Sequence, residues 1–154
     1  MNKKIIFKKN QASKFAYFSL MFVAGTSIEQ VNELGFSHLI EHLLIRAGNE
    51  QSLNELFDMN GAAIKGETSR DYINLSGYCL AEDFNKIFKI LISRIFNLSI
   101  TEDELLREKK IVLIELNQYE NSKKSINDNR VIFKNSSWSI DIIGTRGNIE
   151  SVTL

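Results

Sequence analysis

Two histidines and a glutamate lie within one five-residue stretch. The stretch is residues 38–42, HLIEH, and contains His38, Glu41 and His42. Positions i and i+4 project from the same face of a helix, so both imidazoles can bind one metal ion. The carboxylate of Glu41, which directly precedes His42, can reach a water molecule at that metal. The stretch therefore predicts a metal site in which Glu41 acts as a general base.

Chance and surface exposure are the two alternatives to a metal site. The chain contains two histidines, and random placement gives this spacing, with a glutamate before the second, on the order of one time in a thousand. A pair of solvated surface histidines would not explain the apolar residues around them. The order H-x-x-E-H is that of the inverted zincins, so we interpret the stretch as a zinc-binding motif.

A catalytic zinc site usually has three protein ligands and one open position, so a third ligand must come from a carboxylate or from Cys79. Glu108 and Glu115 are seven residues apart and share one helix face. Glu115 lies among apolar residues, where a bare carboxylate is costly without a cation. Glu108 has three basic neighbours and, taken alone, is typical of a solvated face.

Hydrophobic spacing predicts the elements that must position these residues. Helices are predicted at 35–47, 52–59, 84–96 and 101–117, the last beginning at a capping box. Strands are predicted at 5–7, 15–24, 62–64 and 72–80. The order β-β-α-α-β-β-α-α predicts an α+β domain, with a largely antiparallel sheet and helices on one face. The pattern weakens after residue 121, and 144–147 is predicted to be a loop.

Composition narrows the class of protein. The chain has 154 residues, enough for one domain with its own core, and its 19 basic and 19 acidic residues cancel. A neutral chain has no electrostatic footprint for nucleic acid, and no stretch predicts a membrane span. Lys3 and Lys4 before an apolar run could indicate a signal peptide, but the polar residues at 8–14 favour two strands and a turn. Cys79 is the one cysteine, which fits a reducing, cytoplasmic location.

Beyond the motif, nearly the whole chain resembles the insulinase or pitrilysin family of zinc peptidases. The segments that carry this resemblance are 24–29, 35–42, 61–71, 108–115 and 144–151. The resemblance implies that His38, His42 and Glu115 bind Zn2+ and that Glu41 is the catalytic base. It also implies that Glu108 is a supporting acid behind the ligands.

The resemblance also implies an architecture and a reaction. Family members join two similar domains into a clamshell, so residues 1–154 are expected to form a single, incomplete N-terminal zinc-binding domain. The expected function is zinc-dependent endopeptidase cleavage of short or unfolded peptides, with a second peptidase domain or a partner subunit. Lys65 and Gly66 stand where the family prefers Asn-Ala, so we expect the substrate preference to differ.

Two other functions remain open from the sequence. The first is a non-catalytic scaffold, or a partner-dependent subunit of a heterodimeric peptidase, because the family also contains such members. The second is an S-ribosylhomocysteine-cleaving enzyme, whose site resembles this motif but uses a cysteine ligand. In this chain Cys79 would have to be that ligand.

Overall fold

The computed structural model describes residues 5–8, 10, 12–48, 50–122, 131–134, 136–139 and 141–154. These residues include three strands and five helices that build the fold. They are β1 (Phe15–Val23), α1 (Phe36–Arg46), α2 (Leu53–Met59), β2 (Ala63–Thr68), β3 (Tyr72–Leu80), α3 (Phe84–Phe96), α4 (Glu102–Asn121) and α5 (Arg146–Ser151). Among the described helices, none combines the length and apolar character that a membrane span needs.

The three strands form one antiparallel sheet in the order β1-β3-β2. β1 pairs with β3 from Phe15 opposite Leu80 to Val23 opposite Tyr72, and β2 pairs with the other side of β3. One face of the sheet is covered by helices, whereas the other exposes side chains such as Tyr17, which is 73% exposed. The predicted α+β class, with an antiparallel sheet and helices on one face, is confirmed.

A first apolar cluster, which we call the sheet core, lies between the sheet and helices α2 and α3. Its buried members are Ile45, Leu53, Phe57, Ala62, Leu75, Cys79, Ile87 and Leu91. Alternate residues of β3 and every third or fourth residue of the helices point into it, as the periods of strands and helices require. This cluster fixes the sheet against α2 and α3, which carry no candidate site residue, and reaches α1 through Ile45.

A second apolar cluster, which we call the helix interface, joins α1 to α4 and α5. Its buried members are Leu39, Leu43, Ala47, Leu105, Val112 and Ile149. Helix α1 contributes to both clusters, because Ile45 faces the sheet core while Leu39 and Leu43 face the helix interface. The helix predicted to carry the metal motif is therefore packed from two sides.

Two predictions of local structure are wrong. Residues 5–8 form no strand, and the Ile5 side chain is 91% exposed, because a short apolar run gains nothing from extension without a neighbouring strand. Within the predicted loop at 144–147, residues 144 and 145 lie outside any helix as predicted, but Arg146 and Gly147 form the first turn of α5, where the Thr145 hydroxyl accepts a hydrogen bond from Asn148 N. The sequence pattern did not indicate this helix because it is six residues long and contains Gly147. Two boundaries also move: α4 continues to Asn121, and β2 extends to Thr68.

Candidate metal centre

The start of helix α1 is fixed by a carboxylate from the preceding loop. Glu29 Oε2 accepts a hydrogen bond from Gly35 N at 2.9 Å, and Glu29 Oε1 accepts one from Ser37 N at 2.6 Å. These are backbone donors that a helix N-terminus leaves unpaired, and the negative charge complements the helix dipole. Gly35 has φ +98°, and a Cβ there would lie 2.8 Å from Gly144 Cα, so this turn requires glycine. The loop thereby sets the position of the first turn of α1.

Three of the predicted ligands converge between α1 and α4. Glu115 Oε2 lies 3.5 Å from His38 Nε2 and 3.5 Å from His42 Nε2. In a tetrahedral site with metal–ligand bonds of about 2.0–2.1 Å, donor atoms lie about 3.3–3.4 Å apart. Two imidazole nitrogens and one carboxylate oxygen are also a donor set that zinc prefers. The two distances to Glu115 and the chemistry of the three donors thus fit a zinc ion.

Glu41 belongs to the same cluster of potential donors. One of its carboxylate oxygens lies within 4.8 Å of nitrogen atoms of both His38 and His42. Either Glu41 or Glu115 could therefore complete a three-residue set with the histidines. We interpret Glu115 as the ligand, because a single oxygen atom of Glu115 is equidistant from the two Nε2 atoms. Glu41 is then left beside the metal position, where a base is needed.

Behind the histidines lies the buried carboxylate of Glu108, whose side chain is 1% exposed. Its Oε2 atom is 3.5 Å from His42 Nδ1, and its Oε1 atom is 3.1 Å from Arg107 Nε. A carboxylate at Nδ1 favours the tautomer in which Nε2 carries the lone pair, the usual arrangement behind a metal-binding histidine. Glu108 can therefore orient His42 towards Glu115.

The structure reverses the sequence expectation about the two acids of α4. Glu108, which in isolation indicated a solvated face, is buried, whereas the Glu115 side chain is 35% exposed. The apolar neighbours of Glu115 were misleading because one of them, Ile114, is itself 55% exposed. Adjacent residues on a helix point in different directions, so neighbours in sequence do not report the burial of a side chain.

Burial shifts the proton affinity of two residues in the cluster. It lowers the pKa of His38 from 6.5 to about 4, with His42 adding to the effect and Glu115 opposing it. His38 is therefore neutral near pH 7, which is the form that binds a metal. Burial also raises the pKa of Glu41, while the nearby His42 and Arg46 oppose that change. A more basic carboxylate is a better proton acceptor near neutral pH.

Three residues of the cluster, His38, Glu41 and Glu115, line a cleft of about 350 Å³. The lining residues are His38, Glu41, Thr68, Arg70, Glu115, Tyr119, Asp141, Ile142 and Ile143. Among the other lining residues, Tyr119 donates a hydrogen bond to Asp141 Oδ1 at 3.0 Å, and the Arg70 guanidinium lies 5.3 Å from the centre of the Trp138 ring. Sequence reasoning missed these residues because they come from separate segments and form no motif.

Cys79 is not part of the cluster. Its side chain is fully buried on β3 within the sheet core, with Leu75 and Ile87. Burial raises the pKa of the Cys79 thiol, and the Asp83 charge adds to that effect, so the thiolate form that binds metals is disfavoured. Cys79 therefore does not supply a third ligand, and the interpretation that needed a cysteine ligand is wrong.

Comparison with known families identifies one that matches most of this chain. Residues 4–139 match the family described as Insulinase (Peptidase family M16). The chain belongs to this family. Membership confirms the resemblance seen in the sequence.

Two relatives illustrate the similarity in sequence. An uncharacterized zinc protease of Bacillus subtilis (strain 168) is 25% identical over 154 residues, which cover 96% of this chain and 38% of the relative. The human mitochondrial-processing peptidase subunit beta is 25% identical over 136 residues, covering 84% of this chain and 28% of the relative. The chain thus spans well under half the length of these insulinase-family relatives.

Solved structures share the fold at lower identity. A protease from Helicobacter pylori has a TM-score of 0.80 at 19% identity, over 92% of this chain and 36% of the other. A Pseudomonas fluorescens structure described as a peptidase M16 inactive domain has a TM-score of 0.81 at 16% identity, over 94% of this chain and 37% of the other. The α+β fold of this chain is therefore shared with part of each of these two longer chains.

Proposed function

We propose that this chain is the zinc-binding, catalytic part of an endopeptidase that hydrolyses short or unfolded peptides. The observation that carries the proposal is the convergence of two imidazole Nε2 atoms on Glu115 Oε2, each at 3.5 Å. The carboxylate of Glu41 lies in the same cleft and offers a base. A donor set and a base in one solvent-accessible cleft are what metal-assisted hydrolysis needs.

The chain's own residues divide the chemistry between them. His38, His42 and Glu115 would hold zinc, and Glu108 orients the ring of His42. When bound, zinc supplies Lewis-acid polarisation of a carbonyl and lowers the pKa of water at the site. Glu41, whose pKa is raised chiefly by burial, accepts a proton from the attacking water and passes it to the leaving amine.

An extended peptide can reach this cleft along strand β2. In the described part of the chain, β2 lies at one edge of the sheet, and its last residue, Thr68, lines the cleft. A peptide added beside β2 would pair through its backbone, which gives affinity with little sequence preference. Gly66 on this strand adjoins the Glu41 carboxylate, so the peptide would pass close to the proposed base.

The proposed activity needs more protein than this chain. The chain covers 38% and 28% of the two relatives, and one of them is named as a subunit of a processing peptidase. We therefore propose that a second peptidase domain or a partner subunit completes substrate binding. The single-domain extent of residues 1–154 and the cytoplasmic location stay predictions.

A non-catalytic scaffold is the second candidate function. The observation in its favour is that the Pseudomonas fluorescens structure with the same fold is described as an inactive domain. The retained cluster of two histidines, Glu41 and Glu115 argues for catalysis, because a scaffold has no need for ligands and a base in one cleft. Zinc content distinguishes these two functions.

Elemental mass spectrometry of the purified chain tests the metal site. About one zinc per chain is expected, because three ligands and an open position form a stable site. Glu115→Ala should lose or weaken zinc binding, whereas the exposed Glu120→Ala on the same helix should not. A chain that binds no zinc when it is supplied at neutral pH would favour the scaffold.

Turnover of an unfolded peptide tests the base. Glu41→Gln should retain zinc but lower the rate by about 10²–10⁴-fold, because the amide cannot accept the proton. The assay uses the chain alone and together with its second domain or candidate partner, with light scattering to detect assembly. An unchanged rate in the zinc-loaded variant would sink the mechanism.

A further inference from the structure

Arg107 on helix α4 connects the outside of the molecule to the buried acid behind His42. Its side chain is 55% exposed, but its Nε atom lies 3.1 Å from Glu108 Oε1. Its Nη2 atom also donates a hydrogen bond, at 3.3 Å, to the carbonyl oxygen of Arg46, the last residue of α1. One guanidinium therefore contacts both helices that carry the proposed ligands.

The acid at the centre of this connection needs a cation. Glu108 is almost fully buried, and a carboxylate removed from water is costly unless it is paired. One oxygen faces Arg107, and the other lies 3.5 Å from His42 Nδ1. Without Arg107, the buried charge of Glu108 would have no guanidinium partner, and its Oε2 atom would no longer be fixed beside His42 Nδ1. The ring of His42 would then lose the contact that orients it.

The other basic residues nearby on α4 are placed differently. Lys109 Nζ donates hydrogen bonds to the carbonyl oxygens of Glu150 and Val152, at 2.7 and 2.8 Å, and so connects α4 to the end of α5. Lys110 is exposed. A guanidinium can donate from Nε and Nη2 in two directions at once, whereas an ammonium is a point charge. Arg107 is thus suited to this position by geometry as well as by charge.

We propose that Arg107 is a positioning residue for the metal site, acting through Glu108 on His42. The inference rests on the proposed function, because it concerns affinity for zinc. Groups that contact a ligand from behind typically change metal affinity by about 10–100-fold when they are removed. Arg107 contacts Glu108 and not the proposed ligand His42 itself. Its loss would free the Glu108 carboxylate, which is the group that contacts His42 from behind.

The test is the zinc dissociation constant, measured on the purified chain by competition with a chromophoric chelator. Arg107→Ala should weaken zinc binding by about 10-fold or more, and Arg107→Lys should fall between this variant and the original chain. Lys110→Ala, which removes an equal charge from the same helix, should change the constant by less than about 3-fold, because exposed charges contribute little.

A double-mutant cycle separates positioning from a general loss of structure. In a Glu108→Gln background, Arg107→Ala should have little further effect on zinc affinity, because its route to His42 is already altered. A merely structural role would lower the unfolding temperature of the metal-free chain and leave the effects on zinc affinity additive. If Arg107→Ala does not fold, Arg107→Gln, which retains an N–H donor and removes the charge, takes its place.

The outcomes distinguish the inference from the function on which it rests. An original chain that binds no zinc overturns both. Zinc binding by the original chain with an unaltered dissociation constant in folded Arg107→Ala or Arg107→Gln overturns the role of Arg107 alone. Additive effects in the double-mutant cycle overturn the route through Glu108.

Discussion

The sheet core and the helix interface are both apolar, but only the helix interface has the buried ionisable side chains of His42 and Glu108 beside it. Every buried member of the sheet core is apolar or a thiol, including Phe57, Leu75 and Leu91. The helix interface is apolar at Leu43 and Val112, but the same two helices also bury His42 and Glu108. Apolar burial stabilises a region whatever its ionic surroundings, whereas buried charges must be paired or bound.

The two sides of helix α1 therefore have different surroundings. On one side, Ile45 packs into the sheet core, which provides a rigid support. On the other side, α1 meets α4 across the cluster of ionisable groups, whose stability depends on protons, on Arg107 and on any bound metal. We therefore expect variants in the sheet core to act on folding, and variants in the helix interface to respond to solution conditions.

The largest expected effect is in the sheet core. Phe57→Ala removes a fully buried ring and should lower the free energy of unfolding by about 3–5 kcal/mol, because the cavity cannot collapse completely. Phe96→Ala, at a ring that is 73% exposed, should cost much less. Urea unfolding measures both. The contrast between the two regions would break if the difference between Phe57→Ala and the original chain disappeared when both were measured with the same excess of zinc.

Zinc should stabilise the chain through the helix interface. Free zinc at about 100 times its dissociation constant should raise the free energy of unfolding by about 2.7 kcal/mol, if binding is confined to the folded state. Thermal or urea unfolding with and without chelator measures this gain. Glu115→Ala should abolish it, whereas Phe57→Ala should retain it. Equal gains in the chain and in Glu115→Ala would contradict the assignment of the ligand.

Gly66→Ala tests the place where the two regions meet. A Cβ at residue 66 would overlap the Glu41 carboxylate and lie 2.6 Å from Ile45 Cδ1. Overpacking against Ile45 should cost about 1–3 kcal/mol of unfolding free energy, and turnover should change because Glu41 must move. Gly147→Ala, in helix α5 with nothing within 4 Å of its Cβ, is the matched control. An unchanged free energy of unfolding and unchanged turnover in Gly66→Ala would contradict close packing of residue 66 against Glu41 and Ile45.

The smallest expected effect is at the capping box of α4. Thr101→Ala removes the cap and should lower the free energy of unfolding by about 1 kcal/mol.

Hydrogen bonds from the backbone N–H groups of Thr101 and Gly48 lower the pKa of Glu104. The folded state thus binds this proton less readily than the unfolded state, so the stabilisation is complete above the ordinary glutamate pKa and is lost as pH falls through the lowered value.

Urea unfolding at a series of pH values from about 6 down to about 3 measures the contribution of Glu104. Glu104→Gln should have a flatter profile over this range, because the amide does not titrate. The sheet-core variant Phe57→Ala should keep the slope of the original chain. Parallel profiles for Glu104→Gln and the original chain would contradict the role of this carboxylate.

Much of the local structure was predictable because it depends on neighbours in sequence. The helical spacing around His38 and His42 predicted α1 to within one residue at each end, and the capping box at Thr101 marked the start of α4. The predicted strand at 72–80 coincides with β3. In each case the period of apolar residues and a local hydrogen bond determine the element.

The parts that were missed depend on contacts across the chain. The burial of Glu108 follows from the packing of α4 on α1, and the cleft residues Arg70, Tyr119 and Asp141 meet only because three separate segments fold together. The apolar run at 5–7 carried a strand-like pattern, but it pairs with no strand in the described part of the chain. Periodicity describes one element at a time and contains no information on which elements meet.

The sequence by itself determined the motif. His38, Glu41 and His42 share one helix, and a helix fixes the spacing of its own side chains. Apart from what the resemblance implied, only the tertiary structure decided which acid on α4 faces the histidines. That choice depends on how α4 is rotated and shifted against α1, and the packing of Leu43 and Val112 in the helix interface sets it. This packing brings Glu115 to the two Nε2 atoms and places Glu108, with Arg107, behind His42.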